Sequence, residues 1–471
     1  MISSILAVLF MPVMQEPPRS VIEPVDLELV REGGLEMLRG VHRVPEDRAT
    51  GRGRTLGLDI VVLPALGDDP APDPIFFLAG GPGQRATDLV SMIAARYPGL
   101  RQRRALVFVD QRGTGGDHRL ACDFDSGDLQ SRLNPMFRAE DVAACARELS
   151  ASADLRLYTT PIAMDDLDEV RRALGYEKIN LMGGSYGTRA CLVYLRRHEP
   201  TVRSVVLNGV APIAFRNPLY HAREAQMALD GLLKRCAEDP ACSEAFPDSA
   251  GDLAKILAVL DEKPATVTIA QGGEKHALVL TRAAFAESLR GMLYSSSTAS
   301  RIPLLLHRGA SGDLSPFVQF ALQRNAALRS MLALGMLLSV TCPEDVARIN
   351  PDEIEALTKD TFLGDGRVRQ QIEACASWPS GSVGESYGQP VRSDVPVLIL
   401  SGRCDPVTSP TFGEEAAKHL PSSRHVVVEG AHFVGGACID DLIRQFLETA
   451  DAKGLDVDCA KRVTLPAFEV K

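Results

Sequence analysis

The stretch Ile179-Asn180-Leu181-Met182-Gly183-Gly184-Ser185-Tyr186-Gly187-Thr188 constrains what this chain can fold into more than any other part of it. An apolar run of strand character enters it, and a helical pattern reaching His198 leaves it. Gly-x-Ser-x-Gly between a strand and a helix is a turn so tight that the flanking positions must be small, hence Gly183 and Gly187. Strain in such a turn lifts the serine oxygen above the sheet. The start of the helix then lies beneath any negative charge that develops there.

The rest of the chain supplies a frame for that turn. Ile75–Ala79, Ala105–Asp110, Ile179–Gly183, Val205–Gly209, Val395–Ser401 and His425–Glu429 read as strands, and helical patterns alternate with them. That rhythm predicts a mostly parallel sheet with helices on both faces, which places its ligands at the strand ends. Between Val210 and Val395 the rhythm breaks. Helical patterns cover Tyr220–Glu238, Leu253–Leu260, Arg282–Tyr294, Pro316–Leu337 and Asp352–Leu357, with a β-like segment, Ala265–Leu280, among them. An insertion of this size is a mainly helical cap, not a loop. The expected division is 1–20 a candidate signal segment, 21–210 the first part of the core, 211–390 the cap and 391–471 the second part of the core.

A serine hydroxyl needs a base to become a nucleophile, and in a fold of this kind the order along the chain is serine, acid, histidine. Of the nine histidines, His432 stands just past the strand His425–Glu429, in the loop Gly430-Ala431-His432-Phe433. Asp405, in Gly402-Arg403-Cys404-Asp405-Pro406, follows the strand Val395–Ser401 and precedes His432; a carboxylate there would hold the histidine in its useful tautomer. The end of the neighbouring strand offers only Asn208, which carries no charge. The oxyanion hole is expected from the N–H of Tyr186, directly after the serine, and from Gly81 in Ala79-Gly80-Gly81-Pro82-Gly83. Asp110 and Arg112, in the loop Asp110-Gln111-Arg112-Gly113, are expected to support the site through an ion pair or loop hydrogen bonds.

Composition narrows the setting. A formal net charge of -10 argues against nucleic acid or an anionic membrane as the main partner. The stretch from Met1 to Met14 is apolar but too short to span a bilayer; it resembles the apolar part of an export signal, without a basic residue before it or a small-x-small site after it. Ten cysteines support export. Cys122 and Cys145, Cys236 and Cys242, Cys342 and Cys375, and Cys438 and Cys459 are neighbours in sequence, and pairing them leaves Cys191 and Cys404 over. Spacing alone does not fix that connectivity, but the absence of any Cys-x-x-Cys pair or Cys/His cluster speaks against a metal site.

These motifs together resemble the prolyl and tripeptidyl aminopeptidase family of α/β-hydrolases, in its secreted tripeptidyl aminopeptidase-like branch. The resemblance rests on Gly80-Gly81-Pro82-Gly83, Asp110-Gln111-Arg112-Gly113-Thr114-Gly115, Asp165-Asp166-Leu167-Asp168, Gly183-Gly184-Ser185-Tyr186-Gly187-Thr188, Gly402 with Asp405-Pro406, and Gly430-Ala431-His432. The segment from Val395 to Cys459 also looks like that branch's C-terminal part. One position departs: Ala79 stands where the family has a histidine before the glycines. The resemblance implies an α/β-hydrolase sheet with the cap inserted before the last two core strands. It also implies a serine exopeptidase, secreted or periplasmic, that needs no cofactor. Its substrates would be peptides with a free N-terminus, and a carboxylate on the cap would hold their amine; Glu344, in Cys342-Pro343-Glu344-Asp345, is the candidate. A carboxylesterase or lipase-like hydrolase would carry the same triad. A binding protein on this scaffold would have lost a triad member, and none is missing. Neither the oligomeric state nor the number of residues released is written in the sequence.

Overall fold

A computed structural model of the protein describes residues 23–471 apart from 126, so the candidate signal segment lies outside the described residues. The centre is a nine-stranded sheet in the order β1-β2-β3-β5-β4-β6-β7-β10-β11. The strands β4 (Ile75–Leu78), β5 (Leu106–Val109), β6 (Ile179–Gly184), β7 (Val202–Asn208), β10 (Val397–Gly402) and β11 (Ser423–Val428) run parallel. β4, β5 and β10 are buried along their whole length because helices cover both faces of a parallel sheet. An antiparallel meander of β1 (Glu28–Glu32), β2 (Leu35–Pro45) and β3 (Thr55–Leu63) extends one edge through β5. Sequence patterning gave no sign of it. β1 is largely exposed and β2 buries only scattered side chains, so neither shows a long apolar run.

The helices that carry or back the site are α1 (Thr160–Ala173), α2 (Tyr186–His198), α3 (His221–Glu238), α4 (Arg282–Met292), α5 (Ser315–Met331), α6 (Leu334–Glu344) and α7 (Gly366–Ser377). All but α1 and α2 belong to the insertion between β7 and β10, together with the hairpin β8 (Ala265–Gln271) and β9 (Glu274–Leu280). The insertion packs in two ways. Its first part has a core of its own, with Leu229, Phe285, Leu306 and Phe317 at the centre, and Phe468 from the C-terminal tail joins it. Its second part is packed into the core of the sheet domain. α6 is buried all round, as a helix sunk in a core must be. Its Leu334, Met336, Leu338 and Val340 share one cluster with Leu181 and Tyr194 of the sheet domain, as do Ala374 and Trp378 from α7 and just beyond it.

The pattern predicted one helix over Pro316–Leu337, and the structure has two. The break falls at Leu332 and Ala333, where the chain leaves helical hydrogen bonding to meet the glycine loop after β4: Ala333 N–H donates to the Gly83 carbonyl at 2.9 Å and Leu332 bridges Gln84. Disulfides join Cys122–Cys145, Cys236–Cys242, Cys342–Cys375 and Cys438–Cys459, leaving Cys191 buried and Cys404 partly exposed as free thiols. The third bridge fastens α6 to α7. Among the described residues no helix is long and apolar enough to cross a membrane, and no group of His, Cys, Asp and Glu is arranged to hold a metal ion.

Candidate active site

β6 delivers the chain to Ser185 in a conformation that L-residues avoid, φ 54° and ψ -125°. Such strain costs about 1–3 kcal/mol and persists only where the surroundings enforce it. They do so here. A methyl on Gly183 would collide with the carbonyl of Gly187, and one on Gly187 with the carbonyl of Leu78, so only glycine lets the turn close against β4. Ser185 N–H donates to the Asn208 carbonyl at 3.1 Å, and Thr188 returns its hydroxyl to the Ser185 carbonyl at 2.6 Å. The serine thus caps α2 with its own hydroxyl uncommitted to the cap.

The same motif letters recur at Gly384-Glu385-Ser386-Tyr387-Gly388, and context separates the two. That second copy is a short 3-10 turn with no strand leading into it, and Ser386 is exposed.

The loops after β10 and β11 bring Asp405 and His432 together. His432 Nδ1 lies 3.0 Å and 2.9 Å from the two carboxylate oxygens of Asp405, and both side chains are almost wholly buried. Burial opposes the charge on Asp405. The adjacent His432 and the amides of Thr408 and Val407 outweigh it, and the carboxyl is held below the usual range. With Nδ1 engaged, Nε2 is the ring nitrogen left for a proton on Ser185. Asn208, uncharged as the sequence indicated, has a use of its own. Its amide donates to the Val434 carbonyl at 2.9 Å and its oxygen accepts from Val434 N–H at 3.2 Å, which pins the loop that carries the histidine.

Ser185 and His432 line one cavity of about 370 Å³, roofed by the insertion. Gly81 and Tyr186, the expected oxyanion donors, lie on its wall. The Tyr186 N–H begins α2 and so has no acceptor within the helix. Gly80 sits against Ser185: a methyl there would stand 3.4 Å from the serine Cβ.

Glu344 is not on that wall. Its carboxylate is buried behind it, accepting from Thr160 N–H at 2.5 Å, from Thr160 Oγ1 at 2.8 Å and from the Tyr387 hydroxyl. The residue that lines the cavity is its neighbour, Asp345. Its two oxygens are buried with no aligned hydrogen bond; Arg189 Nη1 stands 2.8 Å from one of them. Burial pushes the Asp345 carboxyl up, against the pull of Arg189 and Arg348. Both residues fit the same helix end in the sequence, and only the direction of the side chain shows that Asp345, not the expected Glu344, lines the cavity.

Other wall residues gave no sequence signal at all: His221, Arg290, Arg324 and Arg367. His221 is buried with Nδ1 unpartnered, and burial, followed by nearby Arg290, holds its pKa well below the ordinary value. Arg112 lies deeper. It makes a two-pronged pair with Asp166 of α1, Nε to Oδ2 at 2.6 Å and Nη2 to Oδ1 at 2.9 Å, and secures the loop beside the site from below.

Comparison with known proteins agrees with this architecture. Residues 73–241 match the alpha/beta hydrolase fold family, and residues 360–459 match the family described as TAP-like protein. Serine protease Hip1 of Mycobacterium tuberculosis is 24% identical over 457 residues, covering 87% of this chain and 85% of its own. The tripeptidyl aminopeptidase of Streptomyces coelicolor is 23% identical over 411 residues, covering 82% and 75%. The proline iminopeptidase of Neisseria gonorrhoeae is 29% identical over 137 residues, 29% of this chain and 32% of its own. With its parallel sheet, its serine turn and its TAP-like C-terminal part, the chain has the α/β-hydrolase fold and resembles the prolyl and tripeptidyl aminopeptidase family of that fold.

Proposed function

We propose that the protein is a serine exopeptidase that removes short units from the free N-terminus of peptides through an acyl-enzyme. Ser185 attacks the scissile carbonyl while His432 takes its proton, and Asp405 holds the imidazole and stabilises its charged form. The N–H groups of Tyr186 and Gly81 receive the oxyanion. His432 then gives the proton to the leaving amine, and water releases the acyl group from the serine. The chemistry asks for no cofactor.

The observation that carries the exopeptidase reading is Asp345. Asp345 Oδ1 pairs with Arg189 at 2.8 Å, while its buried Oδ2, on the wall of the cavity that holds Ser185, has no hydrogen-bond partner and can accept from an ammonium group. Relatives named as a tripeptidyl aminopeptidase and a proline iminopeptidase support the same class of substrate. Glu344 then acts from behind, holding Thr160 and Tyr387 so that the wall keeps its shape. The four disulfides support an exported protein, secreted or periplasmic.

A panel of free-amine tripeptidyl amides, their N-acetylated counterparts and a small neutral ester tests this reading, with the wild type and Ser185→Ala side by side. The free-amine peptides should be cleaved best, and Ser185→Ala should lower kcat about a million-fold on every substrate. Equal turnover of free and acetylated peptides, with the ester fastest, would replace the exopeptidase by a carboxylesterase using the same residues.

A further inference from the structure

The cavity holds more positive charge than its surroundings balance. Arg290 from α4, Arg324 from α5 and Arg367 from α7 reach its wall from three separate helices. Arg290 is compensated: its Nε and Nη2 lie 3.1 Å and 3.0 Å from Glu287 Oε2, and its Nη1 donates to the Tyr294 hydroxyl at 2.7 Å. The other two are not. Arg324 lies over the Tyr294 ring, 5.4 Å from its centroid, with its guanidinium packed on Gly291; its side-chain acceptor is Asn325 Oδ1 at 3.4 Å. Arg367 stacks on Phe137 at 5.2 Å and donates to Gln371 Oε1 at 2.8 Å. Among the described residues neither has a carboxylate oxygen within 4.0 Å.

The remaining groups that face this end of the cavity do not make up the difference. Glu287 lies near all three arginines but is paired with Arg290 and offsets one charge of three; burial holds His221 well below its ordinary pKa, and Asp345 Oδ1 is paired with Arg189. The strain registers on the arginines themselves: burial, with Arg290 adding to it, pushes Arg367 down to about 10 despite Glu287, and Arg324 is lowered for the same two reasons. Three cations sharing the one charge of Glu287 at this end of the cavity are costly, and a peptide carbonyl would satisfy their hydrogen bonds without relieving the excess. A carboxylate would do both, and the planar guanidinium matches its two oxygens. The pair also lies close to the reacting atoms. The Tyr294 ring on which Arg324 sits packs edge-on to His432 at 5.1 Å, and the Tyr294 carbonyl accepts from His432 N–H at 3.3 Å.

We propose that Arg324 and Arg367, with Arg290 beside them, form a carboxylate-binding subsite of this cavity, which selects substrates carrying an acidic side chain or the C-terminal carboxylate of a short peptide. The proposal rests on the peptidase reading for its substrates, and its test is built to stand apart from that reading. Matched peptides with a free N-terminus are made in three forms: neutral with an amidated C-terminus, neutral with a free C-terminal carboxylate, and amidated with glutamate scanned through each position. Two quantities are read for each, kcat/KM and the concentration that halves the rate at which a fluorophosphonate labels the serine. The second reports occupancy of the cavity whether or not the peptide is cleaved, so loss of the peptidase reading leaves this one open to judgement.

A carboxylate-bearing form should exceed the neutral form about tenfold or more on either scale, since a tenfold preference needs only 1.4 kcal/mol and charge-assisted bonds of this kind supply more. Whether the C-terminal or the glutamate series shows the preference identifies its source. In Arg324→Gln/Arg367→Gln the ratio of charged to neutral form should fall to near one, and in Arg324→Lys, which keeps the charge, most of it should remain. The single Arg367→Gln, if the double variant is poorly folded, should show a partial fall. A wild-type ratio of one in every series, or a ratio untouched by these substitutions, overturns the proposal.

Discussion

A single side chain's direction decides much of this site. Glu344 and Asp345 are neighbours on one helix end, yet one is consumed by Thr160 and Tyr387 and the other faces the cavity. The substitution Asp345→Asn keeps the shape and removes the charge. It should raise KM for free-amine peptides far more than it lowers kcat, and leave acetylated peptides little changed. The pH profile provides a second check. The Asp345 carboxyl is raised by burial, so it is charged only above that raised value; a peptide amine is charged only below about 7.7–8.0. The ratio of kcat/KM for free over acetylated peptide cancels the titration that both share. It should be highest between those two limits and fall as pH drops through the Asp345 value. In Asp345→Asn that acid limb should flatten; an acid limb that survives the substitution would move the amine contact elsewhere.

Motif residues were legible at this scale because each is announced locally: Ser185 by its two glycines, His432 and Asp405 by their place just after a strand. Arg290, Arg324 and Arg367 were not, because each comes from a different helix and no local pattern marks a guanidinium that will point inward.

Among the elements, α1 shows how the family motif at 165–168 works. Asp165 receives Arg197 at 2.8 Å and 2.6 Å and His198 at 3.0 Å, both from the end of α2; Asp168 receives Tyr194 at 3.0 Å. Asp166 points the other way, into Arg112 and Arg48. One turn of helix therefore ties the helix behind the serine to the loop beside it. Arg112 also donates to the carbonyls of Glu46, Leu157 and Pro45, and its side chain is fully buried. Replacing Asp166 by Ala leaves that cation buried without its partner, and should cost about 3–5 kcal/mol of stability. Urea unfolding would read this as a lower midpoint at unchanged slope. A shift below about 1 kcal/mol, the usual worth of an exposed pair, would mean that water reaches Arg112.

The six parallel strands were readable because each carries a run of consecutive apolar residues followed by glycine or a polar residue, even where Asn180, Arg203 or Ser204 interrupts the strand before it. The meander β1–β3 and the break between α5 and α6 were not. A strand with one wet face carries a weak signal, and Leu332 and Ala333 suit a helix until the glycine loop offers them other partners.

For the molecule as a whole, the bridges are the cheapest property to examine. Intact mass without reductant should be lower than with it by eight hydrogens, two for each of the four bridges, with Cys191 and Cys404 left as thiols. The bridges at 122–145, 342–375 and 438–459 close loops of 23, 33 and 21 residues, and each such closure contributes typically about 2–4 kcal/mol by limiting the unfolded chain. Reduction should lower the melting temperature and, because Cys342–Cys375 holds Asp345 and Arg367 in the same wall, raise KM at temperatures where the fold still stands. Ten free thiols in protein taken from its own compartment would remove the case for export.

The contact between Ala333 and the glycine loop has a consequence for exchange between relatives. Gly83 and Ala333 are hydrogen-bonded and packed so closely that a methyl on Gly83 would strike the Ala333 carbonyl, and Gln84 bridges Leu332. The turn bearing Gly81 and the hinge entering α6 are therefore fitted to each other although some 250 residues of chain, about half its length, separate them. A chimera that borrows a relative's insertion by cutting after β7 and before β10 would set a foreign hinge on the native turn and disturb the position of the Gly81 amide. Recombination that carries 80–84 along with the insertion keeps the two surfaces matched, so in this chain the turn and the insertion are two pieces that have to travel together.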